Sequence, residues 1–208
     1  MSKIKKNADI TFKIITLGNA GVGKTSILNR FHSGIFEENT RSTIGIDFSI
    51  KQLILKNNIA IKLKLIDTCG QEIYKSITKS YFKNCDGVFF VFALNNKKSF
   101  DEIGEWIKLF NENENKNVTQ FLVGNKCDIK DRIDTNLIDI FAKSQNIKYI
   151  ETSAKNNTNI DELFQDIGEI LYDIYNKSGI ENKSQQIQKL NNKEKKEKKK
   201  NCCVEVDI

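Results

Sequence analysis

Residues 18–25 read Gly18-Asn19-Ala20-Gly21-Val22-Gly23-Lys24-Thr25, and this octapeptide fits GxxxxGK(S/T) at every position. Before it stands the apolar run Phe12-Lys13-Ile14-Ile15-Thr16-Leu17, with the alternation and β-branched content of a strand. After it comes Thr25-Ser26-Ile27-Leu28-Asn29-Arg30-Phe31, with apolar residues at helical spacing. A strand, a glycine turn and a helix N-terminus in that order form an anion cradle: backbone N–H groups turn inward and the helix dipole presents its positive end at the same place. Gly21 and Gly23 allow backbone geometry that a Cβ would hinder. Lys24 can reach terminal phosphates, and the Thr25 hydroxyl can ligate Mg²⁺. A plain turn at a strand end needs neither the lysine nor the hydroxyl.

Working outward, the lead 1–8 carries no apolar period. A polar segment from His32 to Gly45 has neither helical nor strand spacing and predicts a loop. Two strands are predicted at Phe48–Leu55 and Ile59–Ile66, joined by Lys56-Asn57-Asn58. In the second, Ile61, Leu63 and Leu65 alternate with Lys62 and Lys64. So short a linker makes the pair antiparallel. Strands and helices then alternate: a strand at Val88–Phe92, a helix opened by a Ser99–Glu102 capping box, a strand at Gln120–Val123, a helix at Thr135–Ser144, and a strand at Lys148–Ile150. A last helix follows, capped by Asn159 with Glu162 three residues on and bearing the stripe Ile160, Leu163, Phe164, Ile167, Leu171, Ile174. These elements predict an α/β fold, a doubly wound, mostly parallel six-stranded sheet with one antiparallel edge strand and helices on both faces. Ligands of such sheets bind beyond the carboxyl ends of the strands.

Composition limits the alternatives. The chain has 208 residues, enough for one domain spanning 9–176 and a tail at 177–208. Its longest apolar run, Val88–Leu94, is far too short to cross a bilayer. MSKIKKNAD has no apolar secretory core and Ser stands at position 2, so neither a secretory signal nor N-myristoylation is expected. Five cysteines without a CxxC, and one histidine, His32, argue against a disulfide framework or a zinc centre and for a reducing compartment. The net charge of +6 comes largely from the tail, so no nucleic-acid interface is expected in the folded part.

The remaining chemical groups fall at strand ends. Asp67-Thr68-Cys69-Gly70-Gln71-Glu72 follows the second strand of the hairpin. There Asp67 suits a Mg²⁺ site, the Gly70 N–H can meet a γ-phosphate, and Gln71 can orient an attacking water. Thr43, 18 residues beyond Thr25, offers a second Mg²⁺ hydroxyl from a loop that would respond to the γ-phosphate. Asn125-Lys126-Cys127-Asp128 ends the next parallel strand. The Asp128 carboxylate can accept from both N1–H and the exocyclic amine of guanine, a pair of donors adenine lacks, while the Lys126 stem covers the base and Asn125 braces the loops. A site built for such donors rejects the analogue without them by about 10⁴. Thr152-Ser153-Ala154-Lys155 ends the last strand, where the Ala154 N–H can reach O6.

These motifs in this order resemble the Ras superfamily of small GTPases from about Asp9 to Tyr175. The chain is most similar to the Rab branch through Ser42-Thr43-Ile44-Gly45-Ile46-Asp47-Phe48, Thr68–Glu72, residues 76–83, Ser99-Phe100 before Trp106, and Glu151–Lys155. The resemblance implies a P-loop NTPase of the small G domain type that hydrolyses GTP to GDP with Mg²⁺ on Thr25, Thr43 and Asp67. Lys24 and Gln71 are the implied catalytic residues. Gly18, Asn19, Ala20, Gly21, Val22, Gly23, Ser26, Phe36, Gly70, Asn125, Lys126, Asp128, Ser153, Ala154 and Lys155 are the implied nucleotide contacts. Phe36 falls where the family stacks an aromatic on guanine. Effectors would read Thr40 and Arg41 together with 42–48, and an exchange factor and a GTPase-activating protein would set the nucleotide state, hydrolysis being slow without the latter. Arg41, two residues before Thr43, has two readings, an arginine finger supplied in cis and a solvated loop charge, of which the second is favoured.

Several positions depart from the Rab pattern: Cys69 for Ala, Ile66 for a Trp of the aromatic effector surface, Thr40 for an aromatic, and Phe92-Ala93-Leu94-Asn95. None removes a nucleotide or Mg²⁺ ligand. Residues 178–201 predict a disordered basic tail, and Cys202-Cys203 after its lysines resembles a double prenylation site. That predicts a peripheral protein of trafficking membranes, lipid-anchored on the cytoplasmic leaflet with a cytosolic pool. Five residues follow the cysteine pair, against the usual endings. The rival readings are a GTP-binding scaffold of the same fold that barely hydrolyses, against which Gln71 and the small Ala20 argue, and a small-substrate kinase, for which no arginine-rich lid is present.

Overall fold

The computed structural model describes residues 7–38, 43, 45–69, 81–113 and 118–178. Strands β1 (Asn7–Leu17), β2 (Ile46–Ile54), β3 (Ala60–Thr68), β4 (Gly87–Ala93), β5 (Thr119–Asn125) and β6 (Lys148–Glu151) form one sheet in the order β2-β3-β1-β4-β5-β6. Only the edge pair β2–β3 is antiparallel, as its short linker demands, and Phe48 stands opposite Ile66. The described helices are α1 (Lys24–Ser33), α2 (Lys97–Asp101), α3 (Ile103–Asn111), α4 (Thr135–Gln145) and α5 at 160–171. After β1 the hairpin β2–β3 is added on one side of it, with β3 as its parallel neighbour, and β4 and the later strands are added on the other side. The loops after β1 and β3 therefore open a crevice at the strands' carboxyl ends.

Parallel strands are covered on both faces and read as continuous apolar runs, and every residue of β4, Gly-Val-Phe-Phe-Val-Phe-Ala, is buried. Its alternating phenylalanines feed two cores. Phe89 meets Phe121 and Phe164 edge-on at 6.0 and 5.4 Å, and Phe164 stacks on Phe31 of α1 at 3.7 Å. Phe90 and Phe92 point into the opposite core, where Phe90 meets Phe110 at 5.9 Å and Phe92 meets Phe100 at 5.0 Å. Buried hydroxyls are satisfied across the β1–β3 seam: Thr68 Oγ1 donates to the Thr16 carbonyl at 2.6 Å and Thr16 Oγ1 to the Ile66 carbonyl at 3.2 Å.

Four local expectations change. β1 begins at Asn7, which pairs with Ala60, and so starts inside the lead expected at 1–8 and before the apolar run from Phe12. The helix predicted from Ser99 starts two residues earlier, because Asn96 is the cap: its Oδ1 accepts from the Ser99 N–H at 3.1 Å. Ser99 is buried inside the first turn with its Oγ donating to the Asn96 carbonyl at 2.7 Å, and Glu102 closes no capping box but separates α2 from α3. Asn159 does stand before α5, and its carbonyl accepts the Leu163 N–H at 3.0 Å, but its φ is +55° and its amide donates to the Glu151 carbonyl. Ile66 is buried in the core with Ile15 and Leu17, so the large exposed apolar side chains on this edge belong to β2: Phe48, Ile50 and Ile54. A second unit, Tyr172–Ile208, is described only to residue 178, which is helical and bonds Ser178 Oγ to the Tyr175 carbonyl; Ile174 there is exposed. The rest of the expected tail lies outside the described residues.

Among the buried groups, Cys85 donates its S–H to the Gly87 carbonyl, and burial pushes its thiol up to about 12. Between the ordinary thiol value of 9.0 and about 12 the unfolded chain loses a proton that the native chain keeps, so this group's contribution to stability falls as pH rises through that window. Urea unfolding at pH 8 and pH 10 will show a loss of stability that is smaller in Cys85→Ala than in the parent by about 1.4 kcal/mol. An equal loss in both proteins would contradict the assignment.

Candidate nucleotide site

The cradle is shaped by two glycines and one asparagine. At Gly18 (φ +142°) a Cβ would come within 2.0 Å of the Val91 carbonyl oxygen, a backbone atom that cannot step aside. At Gly23 (φ +97°) it would meet Asn125 Nδ2 at 2.3 Å. Gly23 is also the N-cap of α1. It supplies no side-chain cap, and no acidic residue occupies the first turn. The uncapped N–H groups of that turn keep their hydrogen-bonding capacity for an anion.

Asn125 Nδ2 donates to the Val22 carbonyl at 2.9 Å, and Oδ1 accepts from Thr152 Oγ1 and the Ala154 N–H, both at 3.3 Å. One buried amide thus ties the loop after β1 to the loop after β6. Lys126, at φ +68°, carries its Nζ to the Gly21 carbonyl at 2.8 Å. Ser153 Oγ donates to Asp128 Oδ1 at 2.5 Å and fixes the carboxylate's rotation. Arg30 was not legible as a site residue, since an arginine on a helix ordinarily faces water. It braces the same loop from below, donating to the Ala154 carbonyl at 2.7 Å and the Lys155 carbonyl at 2.9 Å, with its guanidinium 5.8 Å from the Phe36 ring.

The walls enclose a cleft of about 460 Å³. Ala20, Gly21, Gly23, Lys24, Thr25 and Ser26 form one end, Lys126, Asp128, Ala154 and Lys155 the other, and Phe36 and Thr43 one side. Gly18, Asn19, Val22, Asp67 and Ser153 are not in the lining; they act from behind it. Glu37, Glu38, Thr68 and Ile129 line it without having been singled out in the sequence, because each is an ordinary loop or strand-end residue there. Gly70, Gln71, Thr40, Arg41, Ser42 and Ile44 lie outside the described residues, as do Cys202 and Cys203.

Three groups from three separate elements converge at the phosphate end. Thr25 Oγ1 donates to Asp67 Oδ2 at 2.6 Å, Thr43 Oγ1 to the same oxygen at 3.2 Å, and the two hydroxyls lie 2.8 Å apart. Asp67 Oδ1 is buried with no hydrogen-bond partner among the described residues. A carboxylate oxygen left so, beside two hydroxyls, is a donor set for a hard divalent cation. Burial raises the Asp67 carboxyl above its ordinary range, against the Thr25 hydrogen bond and the Lys24 charge. Lys24 is also buried, its Nζ donating to the Gly18 and Asn19 carbonyls at 2.8 and 2.9 Å, and burial lowers its ammonium to about 8 against the attraction of Asp67. A phosphate beside Lys24 and a cation beside Asp67 would reverse both shifts. The residues fit Mg²⁺.

Replacing Asn125 by alanine leaves the Val22 carbonyl, the Thr152 hydroxyl and the Ala154 N–H without this partner. The variant should lose about 2–4 kcal/mol of stability, since two or more buried polar groups go unpaired. It should also bind guanine nucleotides at least about tenfold more weakly, as read by thermal unfolding and nucleotide titration. Wild-type affinity in the variant would show that the tie does not shape the cleft.

The sequence model of the Ras family matches residues 13–173. The Ras-related protein Rab-10 of Caenorhabditis elegans is 41% identical over 165 residues, covering 78% of this chain and 82% of that protein. Rab-8B of Pongo abelii is 40% identical over 161 residues (76% and 77%), and Rab-13 of Bos taurus 39% over 176 (84% and 85%).

Proposed function

The chain belongs to the Ras family, as a small GTPase most similar to Rab proteins, and on that premise we propose that it is a GTP/GDP switch in membrane trafficking whose output is the binding of effectors. The observation that carries this reading is the convergence of Thr25, Thr43 and Asp67 at the phosphate end of a cleft whose other end offers Asp128 and Ala154. Thr43 belongs to the loop between α1 and β2, so a cation held partly by Thr43 couples the state of the nucleotide to the position of that loop.

In this proposal the cradle amides and Lys24 hold the charge of the β- and γ-phosphates, and Gln71 orients a water in line with the γ-phosphate. Mg²⁺, when bound by Thr25, Thr43 and Asp67, neutralises charge on the phosphate oxygens. Asp128, its rotation set by Ser153, accepts from guanine, with Lys126 along the base and Phe36 at its edge. Ala20 leaves room for the hydrolytic water. Hydrolysis is slow until a GTPase-activating protein supplies an arginine, a step worth on the order of 10³–10⁵ in the general scheme for such enzymes.

Effectors are assigned to residues 40–48, where Phe48 is 63% exposed on the edge strand β2. Because Ile66 is buried, effector identities that depend on a tryptophan at that position do not transfer to this chain. Cys202 and Cys203 are assigned as lipidation sites. Two lipid chains with adjacent lysines suffice for stable attachment to an anionic leaflet.

The test is single-turnover hydrolysis of GTP with and without a GTPase-activating protein, together with the distribution of the tagged chain in cells. Gln71→Leu should slow hydrolysis by at least about tenfold while leaving GTP bound, the loss of one oriented transition-state contact. The locked chain should sit on membranes, and the added changes Cys202→Ser and Cys203→Ser should release it to the cytosol. Equal hydrolysis by parent and variant would overturn the enzymatic reading, and unaltered membrane attachment without the cysteines would overturn the anchor.

A further inference from the structure

Asn19 stands second in the cradle, yet its side chain engages the helix that follows β4. Its Oδ1 accepts from the indole N–H of Trp106 on α3 at 2.8 Å, and its Nδ2 donates to Glu102 Oε2 at 2.5 Å. The indole N–H is only a donor and the ionised carboxylate only an acceptor, so a single orientation of the amide satisfies both, and no other side chain of this size supplies one donor and one acceptor so placed. Trp106 is 2% exposed, and Glu102 fills the break between α2 and α3. The backbone carbonyl of this same Asn19 receives Lys24 Nζ at 2.9 Å.

We propose that Glu102, Asn19 and Trp106 form a positioning device: they fix the Asn19 peptide, and through it the ammonium of Lys24, in register with the phosphates, and they couple α3 to nucleotide release. The proposal rests on the reading of the cradle as a phosphate site. Its chemistry makes a demand on residue type that the GxxxxGK(S/T) pattern leaves free. An aspartate at position 19 would keep the indole bond and set a second carboxylate against Glu102 at hydrogen-bonding distance. The charged groups around Glu102 do not relieve that repulsion: Lys98 Nζ lies 3.7 Å from its other oxygen with 82% of the side chain exposed, and Lys24 is turned to the backbone carbonyls.

The experiment measures release of a fluorescent GDP analogue from the full chain, at a temperature where thermal unfolding shows each variant folded. Asn19→Asp should speed release by about tenfold or more, Glu102→Gln by about twofold, and the two together should return to within about threefold of the parent, because the new amide then donates to the new carboxylate. These sizes follow from the worth of a hydrogen bond to a charged group. Trp106→Phe, which removes only the indole donor, should speed release by about threefold. Trp106 is the chain's single tryptophan, so its emission should shift in Asn19→Asp and recover in the double variant. Release unchanged in Asn19→Asp, or a double variant as fast as the product of the two singles, would overturn the device. Failure of the parent chain to hold the analogue at all would overturn the nucleotide-switch reading instead.

Discussion

The amide of Asn125 is the constraint on which the rest of the site depends. It is 2% exposed and lies between two loops that are far apart in sequence, donating to Val22 and accepting from Thr152 and Ala154. A buried polar group left unpaired costs more than a formed bond returns, so the loops can be apart only at the expense of several such groups. The same amide excludes a Cβ at Gly23. One interaction therefore fixes the distance from the phosphate end of the cleft to the base end, and it accounts for one of the glycines of the cradle.

The sheet makes that tie possible. A parallel sheet with a fully buried central strand places the ends of β1, β3, β5 and β6 on one rim. The two aromatic cores, Phe31 with Phe164 on one side and Phe90 with Phe110 on the other, hold the helices that carry Lys24 and Trp106 against that rim. The electrostatics of the rim are then set by burial. Lys24 and Asp67 are both shifted toward their neutral forms because both are withdrawn from water. Such a pair is poised for ligands of opposite charge: a polyphosphate for the lysine, a divalent cation for the aspartate and its two threonines.

Most of this was legible in the sequence because the decisive residues are local and sequential. The octapeptide at 18–25 and the tetrapeptides at 125–128 and 152–155 each occupy a strand end, and hydrophobic period locates strand ends well. The antiparallel edge followed from a three-residue linker. What escaped was set by contacts across the fold. Nothing local in the sequence marks Arg30, and only the tertiary structure brings it under Ala154 and Lys155. Ser99 and Glu102 fit a capping box by spacing, but Asn96 took the cap, Ser99 turned inward, and Glu102 was drawn to Asn19. Ile66 occupies a position associated with an exposed aromatic, but the pairing of β3 with β1 puts it in the core.

The proposed switch stands or falls with the binding of a guanine nucleotide in this cleft and its selection by Asp128. The most direct measurement is competition between GTP and ATP for the purified chain in Mg²⁺, repeated with Asp128→Asn. The parent should prefer GTP by about 10⁴, the scale on which a site with buried polar partners rejects an analogue that lacks them. The substitution should remove most of this preference. ATP binding as tight as GTP in the parent, or a guanine preference untouched by Asp128→Asn, would contradict it.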